Sequence, residues 1–186
     1  MKTILKNTAI LLVITLVAAV ALSYVYELTK DPIAEAAQAA KEAAYQEVYA
    51  AASAFAPAEG TDLAAFNSAR KDGSSVEEIL IAKDEAGQTL GYVLTACSSK
   101  GYGGAIRLAL GIDASGKVVG YTVLSHSESP GFGANCVNAD VKAQFNGITE
   151  AEQIDGISGA TYTTKALRGA TNAALDLVNS MGGEGA

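Results

Sequence analysis

The residues best equipped for chemistry run together as Asp155-Gly156-Ile157-Ser158-Gly159-Ala160-Thr161-Tyr162-Thr163-Thr164, immediately before a segment with helical periodicity. At a helix start, unsatisfied backbone N–H groups and the helix dipole favour an anion. Gly156, Gly159 and Ala160 let the backbone approach a phosphate closely, and Ser158, Thr161, Thr163 and Thr164 can donate hydrogen bonds to it. An ordinary turn with a Ser or Thr N-cap accounts for the same residue types. A Walker-type phosphate loop is excluded, because its Lys-Ser/Thr pair is absent.

The elements that must hold this segment follow from periodicity. Val76–Lys83, Thr89–Cys97, Ala105–Asp113 and Val118–His126 read as strands, with turn signals at Glu85-Ala86-Gly87-Gln88 and Asp113-Ala114-Ser115-Gly116-Lys117 between them. These are antiparallel hairpins. From Thr163, Ala166, Leu167, Ala170, Ala173, Ala174, Leu177 and Val178 share one helical face, and Met181-Gly182-Gly183-Glu184-Gly185 ends the pattern. Strands followed by a helix predict an α+β domain, an antiparallel sheet with packed helices, and argue against a Rossmann unit.

Ahead of this domain, Lys2 and Lys6 precede a charge-free run from Thr8 to Tyr26, 19 residues, close to the ~20 that a helix needs to cross a bilayer. The lysines predict a cytoplasmic N-terminus and an extracytoplasmic main domain. A cleaved secretory signal, with Ala19-Val20-Ala21 as its processing site, is the competing reading. The apolar run continues past that site, which favours an uncleaved single-pass anchor in the cell membrane. Asp31-Pro32 reads as an N-cap and first helical position, opening an Ala-rich helix that runs to Pro57 as a stalk or a docking helix. The expected division is therefore an anchor at 1–29, a helical segment at 30–57 and the main domain at 58–186.

Composition narrows the function classes. The 186 residues carry 13 Lys+Arg against 20 Asp+Glu, a net charge of −7 that suits neither DNA nor RNA. One histidine, His126, and two cysteines, Cys97 and Cys136, make a structural zinc or iron–sulfur site improbable and predict no protein-held metal. Cys97 falls in a strand pattern and reads as core; Cys136 falls in a loop, a position that allows exposure. A disulfide between them is possible in an exported domain, and sequence separation does not decide it. His126 ends a strand and reads as structural.

The Asp155–Thr161 segment resembles the flavinylation motif of the FMN-binding domain family: Asp, two variable positions, Ser or Thr, Gly, Ala, Thr. Lys100-Gly101-Tyr102-Gly103-Gly104 and His126-Ser127-Glu128-Ser129-Pro130-Gly131-Phe132-Gly133 resemble two further family segments, with Ser129 standing where Thr is common. The resemblance covers most of residues 76–180. With one N-terminal anchor and one such domain, it is strongest to the G subunits of Rnf-type complexes and extends to the C subunits of sodium-pumping NADH:quinone reductases. It implies FMN bound covalently through its phosphate to Thr161, a flavin transferase for maturation, and other membrane subunits as partners. The chain would then be an electron carrier in a complex coupling ferredoxin:NAD electron transfer to Na+ or H+ translocation, not an enzyme alone. A free-standing exported flavoprotein reductase and a non-enzymatic anchored interaction domain are the alternatives.

Within that resemblance, Glu128, Gly131 and Gly133 belong to a loop that passes close to a flat ligand, although Pro130-Gly131 is equally a type II turn. Glu128 either hydrogen-bonds a ring edge or caps the loop. Tyr102 either stacks on the ring or is an exposed turn residue.

Overall fold

The computed structural model describes residues 1–182, so the closing Gly183-Glu184-Gly185 lies outside the described residues. The first element is α1 (Lys2–Val48), one uninterrupted helix of 47 residues. The helix start expected at Asp31 is not observed, because α1 runs through Pro32. Proline removes one backbone hydrogen bond there, but it is flanked by Ala, Glu, Lys and Leu, which are strong helix formers. α1 also stops earlier than the alanine spacing implies, at Val48. Its residues fall into two compact units, Met1–Lys41 and a unit that begins at Glu42. In the first unit large apolar side chains such as Leu12, Val17, Leu22 and Tyr24 are exposed, and α1 is long and apolar enough to cross a membrane.

In the second unit, β1 (Ala54–Pro57), β2 (Ser74–Lys83), β3 (Thr89–Ser98), β4 (Ile106–Asp113) and β5 (Val118–Ser125) form a single sheet in sequence order. Every neighbouring pair is antiparallel, so the expected α+β meander is observed. β1 is a correction, since the alanine spacing places Phe55 in a helix. Ala54–Pro57 instead pairs with Leu80–Lys83 through backbone groups, a pairing that alanine-rich side chains do not advertise. The short α2 (Leu63–Ala69) starts at Asp62, whose side chain accepts from the Ala65 N–H at 2.9 Å. α3 (Ala139–Gln144) and α4 (Thr161–Gly182) complete the unit.

Strand alternation gives the sheet two buried faces. On one, Leu94, Ala96, Leu108, Leu110, Ile112 and Val118 pack against Ala166, Leu167, Ala170, Ala173, Ala174, Leu177 and Val178 of α4. On the other, Val93, Ala82 and Ala109 meet Ala44, Tyr45, Val48, Tyr49 and Ala52, from the end of α1 and the turn after it. Cys97 and Cys136 are free thiols, and both are buried. Cys136 is thus not exposed, although its loop position allows it: Gly133–Val137 coils into a 3-10 turn that folds it into the core. Burial, and then the nearby Glu128 carboxylate, push its thiol up to about 11.

Candidate functional site

Three segments converge at the N-terminus of α4: the loop after β3, the loop after β5 and the Asp155–Ala160 turn. They enclose a cleft of about 550 Å3, within the ~300–1,000 Å3 usual for small-molecule sites. Tyr102, Glu128, Gly133, Gly159, Ala160, Thr161 and Thr163 line it, so seven of the sequence-predicted site residues are brought together. Ser158, Thr164 and Gly131 are close in sequence but do not line it.

The local reasons are visible in the hydrogen bonds. Ser129-Pro130-Gly131-Phe132 closes as a turn, with the Phe132 N–H donating to the Ser129 carbonyl at 3.3 Å and Gly131 at φ +78. That is the type II signature, and it leaves Gly131 at the tip of the loop. Thr164 faces inward: its hydroxyl donates to the Ala160 carbonyl at 3.1 Å and accepts from the Ile157 N–H at 3.0 Å. Thr163 is buried and donates to Glu128 Oε2. Glu128, only 6% exposed, also accepts from the Gly103 N–H at 2.9 Å through Oε1. Its carboxylate therefore ties the loops together as a cap while it also lines the cleft. His126 is structural as expected, its Nδ1 accepting from the Glu128 N–H at 3.1 Å.

Thr161 is different. It is exposed, lines the cleft and makes no hydrogen bond through its hydroxyl among the described residues. The N-cap position of α4 is held by Ala160, whose carbonyl accepts from the Thr164 N–H at 3.0 Å. Alanine is a poor N-cap, so the N–H groups of Thr161, Tyr162 and Thr163 face the cleft end of the helix without a side-chain cap. A turn with a Ser or Thr cap, the plain alternative for this motif, is not what is built.

Four lining residues, Ser129, Pro130, Phe132 and Tyr162, are not among the predicted site residues, and two of them are aromatic. Tyr162 is 64% exposed and Phe132 57%, and both line the cleft with Tyr102, which is 73% exposed. The Tyr102 and Tyr162 rings lie 6.4 Å apart between centroids at an interplanar angle of 48°. Gly159, at φ +73, lies beneath Phe132, since a Cβ there would stand 3.0 Å from the ring. The available signal is the placement of each ring, Phe132 between two glycines and Tyr162 directly after Thr161. Large apolar side chains seldom stay exposed together without a ligand or partner. An uncapped helix end suits a phosphate, a free hydroxyl stands beside it, and the exposed aromatic faces suit a ring, a set of features compatible with a flavin nucleotide.

Comparison with known proteins points the same way: residues 101–176 match the FMN-binding domain. Residues 1–48 match the RnfG N-terminal region. The chain is similar to the G subunit of the proton-translocating ferredoxin:NAD(+) oxidoreductase complex of Clostridium ljungdahlii, 34% identical over 113 residues, 55% of this chain and 60% of that protein. The match to the G subunit of the ion-translocating oxidoreductase complex of Methanosarcina acetivorans is 29% identical and covers 98% of both chains. The G subunit of the Na(+)-translocating ferredoxin:NAD(+) oxidoreductase complex of Acetobacterium woodii is 28% identical, over 97% of this chain and 94% of that one. Among solved structures, NqrC of Shewanella oneidensis matches 55% of this chain and 60% of its own with a TM-score of 0.43 and 17% identity.

Proposed function

We propose that the chain is an electron-transfer flavoprotein of an ion-translocating complex, carrying FMN as a phosphoester on Thr161. The observation that carries this reading is the exposed, unpaired Thr161 hydroxyl beside the Ala160-started helix end. Attachment requires an activated flavin, so the donor is a flavin nucleotide with a phosphoanhydride, handled by a flavin transferase. The Thr161 Oγ–P bond forms, the P–O bond to the leaving nucleotide breaks, and the hydroxyl proton is released to solvent. The bound flavin supplies the redox chemistry. The chain's own groups hold its phosphate at the N-terminus of α4 and offer Tyr102, Phe132 and Tyr162 as faces for the ring.

The Thr8–Tyr26 stretch of α1 is the membrane anchor, with Lys2 and Lys6 on the cytoplasmic side and the FMN-binding domain outside. Other membrane subunits are its partners; the relatives with full-length similarity are G subunits of such complexes. Coupling to Na+ or H+ belongs to the assembled complex.

The test is an intact mass of the full chain, produced with and without a flavin transferase, followed by peptide mapping. The expected result is a gain of FMN minus water on the Thr161 peptide, absent from a Thr161→Ala variant that still folds. No adduct in cells that modify a control target sinks the reading.

A further inference from the structure

The Glu128–Thr163 hydrogen bond lies one step behind the proposed attachment point, and resting on that reading we infer that this pair is the device that presents Thr161. In an α-helix successive residues turn by about 100°, so Thr161 and Thr163 project about 200° apart around the axis of α4. Fixing one inward turns the other outward. Thr163 is 1% exposed and its hydroxyl donates to Glu128 Oε2, whereas Thr161 is exposed at the cleft. The rotational setting of the first turn of α4 is therefore held by the carboxylate beneath it.

That carboxylate is itself tightly enclosed. Its other oxygen accepts from the Gly103 N–H at 2.9 Å. A Cβ on Gly101 would stand 2.7 Å from Oε1, and one on Gly133 would stand 2.3 Å from Oε2 and 2.4 Å from Thr163 Oγ1. Both loops thus close directly over the pair, and only glycine permits that approach. Enclosure on these sides directs the carboxylate to Gly103 and Thr163 and makes Glu128 a positioning residue that acts through Thr163. Gly103 and Thr163 give the buried carboxylate two donors, which offset the cost of burying it.

The test compares four single variants of the full chain, Thr163→Val, Thr163→Ser, Glu128→Ala and Glu128→Gln, and one double variant as substrates of a flavin transferase. Initial rates of adduct formation are read by intact mass, and the modified residue by peptide mapping. Thr163→Val keeps the side-chain shape but loses the tether, and its rate should fall at least tenfold, with part of the adduct appearing on Ser158 or Thr164. Thr163→Ser and Glu128→Gln retain a hydrogen bond between the two positions and should recover at least a third of the rate. The double variant Glu128→Ala/Thr163→Val should be no slower than the worse single one, because both remove one interaction. Attachment to Thr163→Val at the unmodified rate and position overturns the inference. So does a set of rates that follows each variant's loss of Tm regardless of whether the tether is kept. Should Glu128→Ala fail to fold, the Val and Ser substitutions at Thr163 decide alone. Failure of the parent chain to take up FMN where a control is modified is a different result, and it removes the Thr161 reading itself.

Discussion

The two faces of the sheet solve the same problem with opposite materials. Towards α4 the strands present Leu94, Leu108, Leu110 and Ile112, all fully buried, and the helix answers mainly with alanines and leucines. Towards the end of α1 they present Val93, Ala82, Ala109 and the glycines Gly111 and Gly120, and much of the bulk comes from Tyr45, Val48 and Tyr49. The glycines there are a matter of space. A Cβ on Gly120 would stand 2.1 Å from the Val48 carbonyl oxygen and 2.6 Å from its Cα, and one on Gly111 would stand 2.5 Å from the same oxygen. One face is therefore joined by side-chain burial, while the other lets a helix backbone rest directly on strands. Residues 42–52 are accordingly part of the folded unit and not a stalk attached to it.

The sharpest way to break that comparison is truncation. A chain beginning at Glu42 keeps both layers and should unfold cooperatively. One beginning at Ala58 loses Tyr45, Val48, Tyr49 and β1, at roughly 1.5–3 kcal/mol per large buried side chain, a loss comparable to the ~5–15 kcal/mol of a whole domain. It should not give a folded product by circular dichroism, and a cooperative transition at the same Tm as the longer piece would refute the assignment. Next in size, Leu108→Ala on the α4 face should cost about 2–5 kcal/mol in denaturant unfolding. Gly120→Ala should cost about 1–3 kcal/mol by overpacking, because the atoms it meets are backbone and cannot turn away. Its signature is faster hydrogen exchange in residues 42–52, with α4 protection unchanged.

The smallest expected effect is a pH slope shared by both faces. Burial, then Asp113, raise the Tyr49 phenol on one face. On the other, burial and then Glu128 raise the Cys136 thiol to about 11, and burial, then Cys136, raise Tyr121. A raised folded pKa means that the unfolded chain loses its proton first. Stability from Cys136 is thus complete below the unfolded thiol value of ~8.5 and is lost as pH climbs towards about 11. Tm should decline across that window, and Cys136→Ala should flatten the decline. A decline as steep in that variant would assign it to the tyrosines and to Cys97, whose thiol burial and then Glu77 also raise.

The four main strands are legible in the sequence to within two residues, because alternation over eight to ten positions is a strong signal. The alanine-rich stretch is not. Alanine spacing fits a helix as well as any apolar spacing does, so nothing in Ala50–Phe55 marks the change from α1 to β1, which depends on backbone pairing with β2. Pro32 looks like a beginning because proline favours first turns, yet helix propensity on both sides carries α1 through it. At the site, the Thr161 motif and the loop glycines can be read directly. The partners of Glu128 cannot, since Gly103 and Thr163 lie 25 and 35 residues away and meet it only in the folded chain.

Ala160 leads to a caution for anyone engineering this protein. Standard stabilising practice would replace a capless alanine at a helix start with serine or aspartate, expecting a gain of about 0.5–2 kcal/mol. On the function proposed above, an aspartate here would place a carboxylate where the phosphate of FMN would lie. On that reading a thermal-shift screen alone would favour variants that take up less FMN.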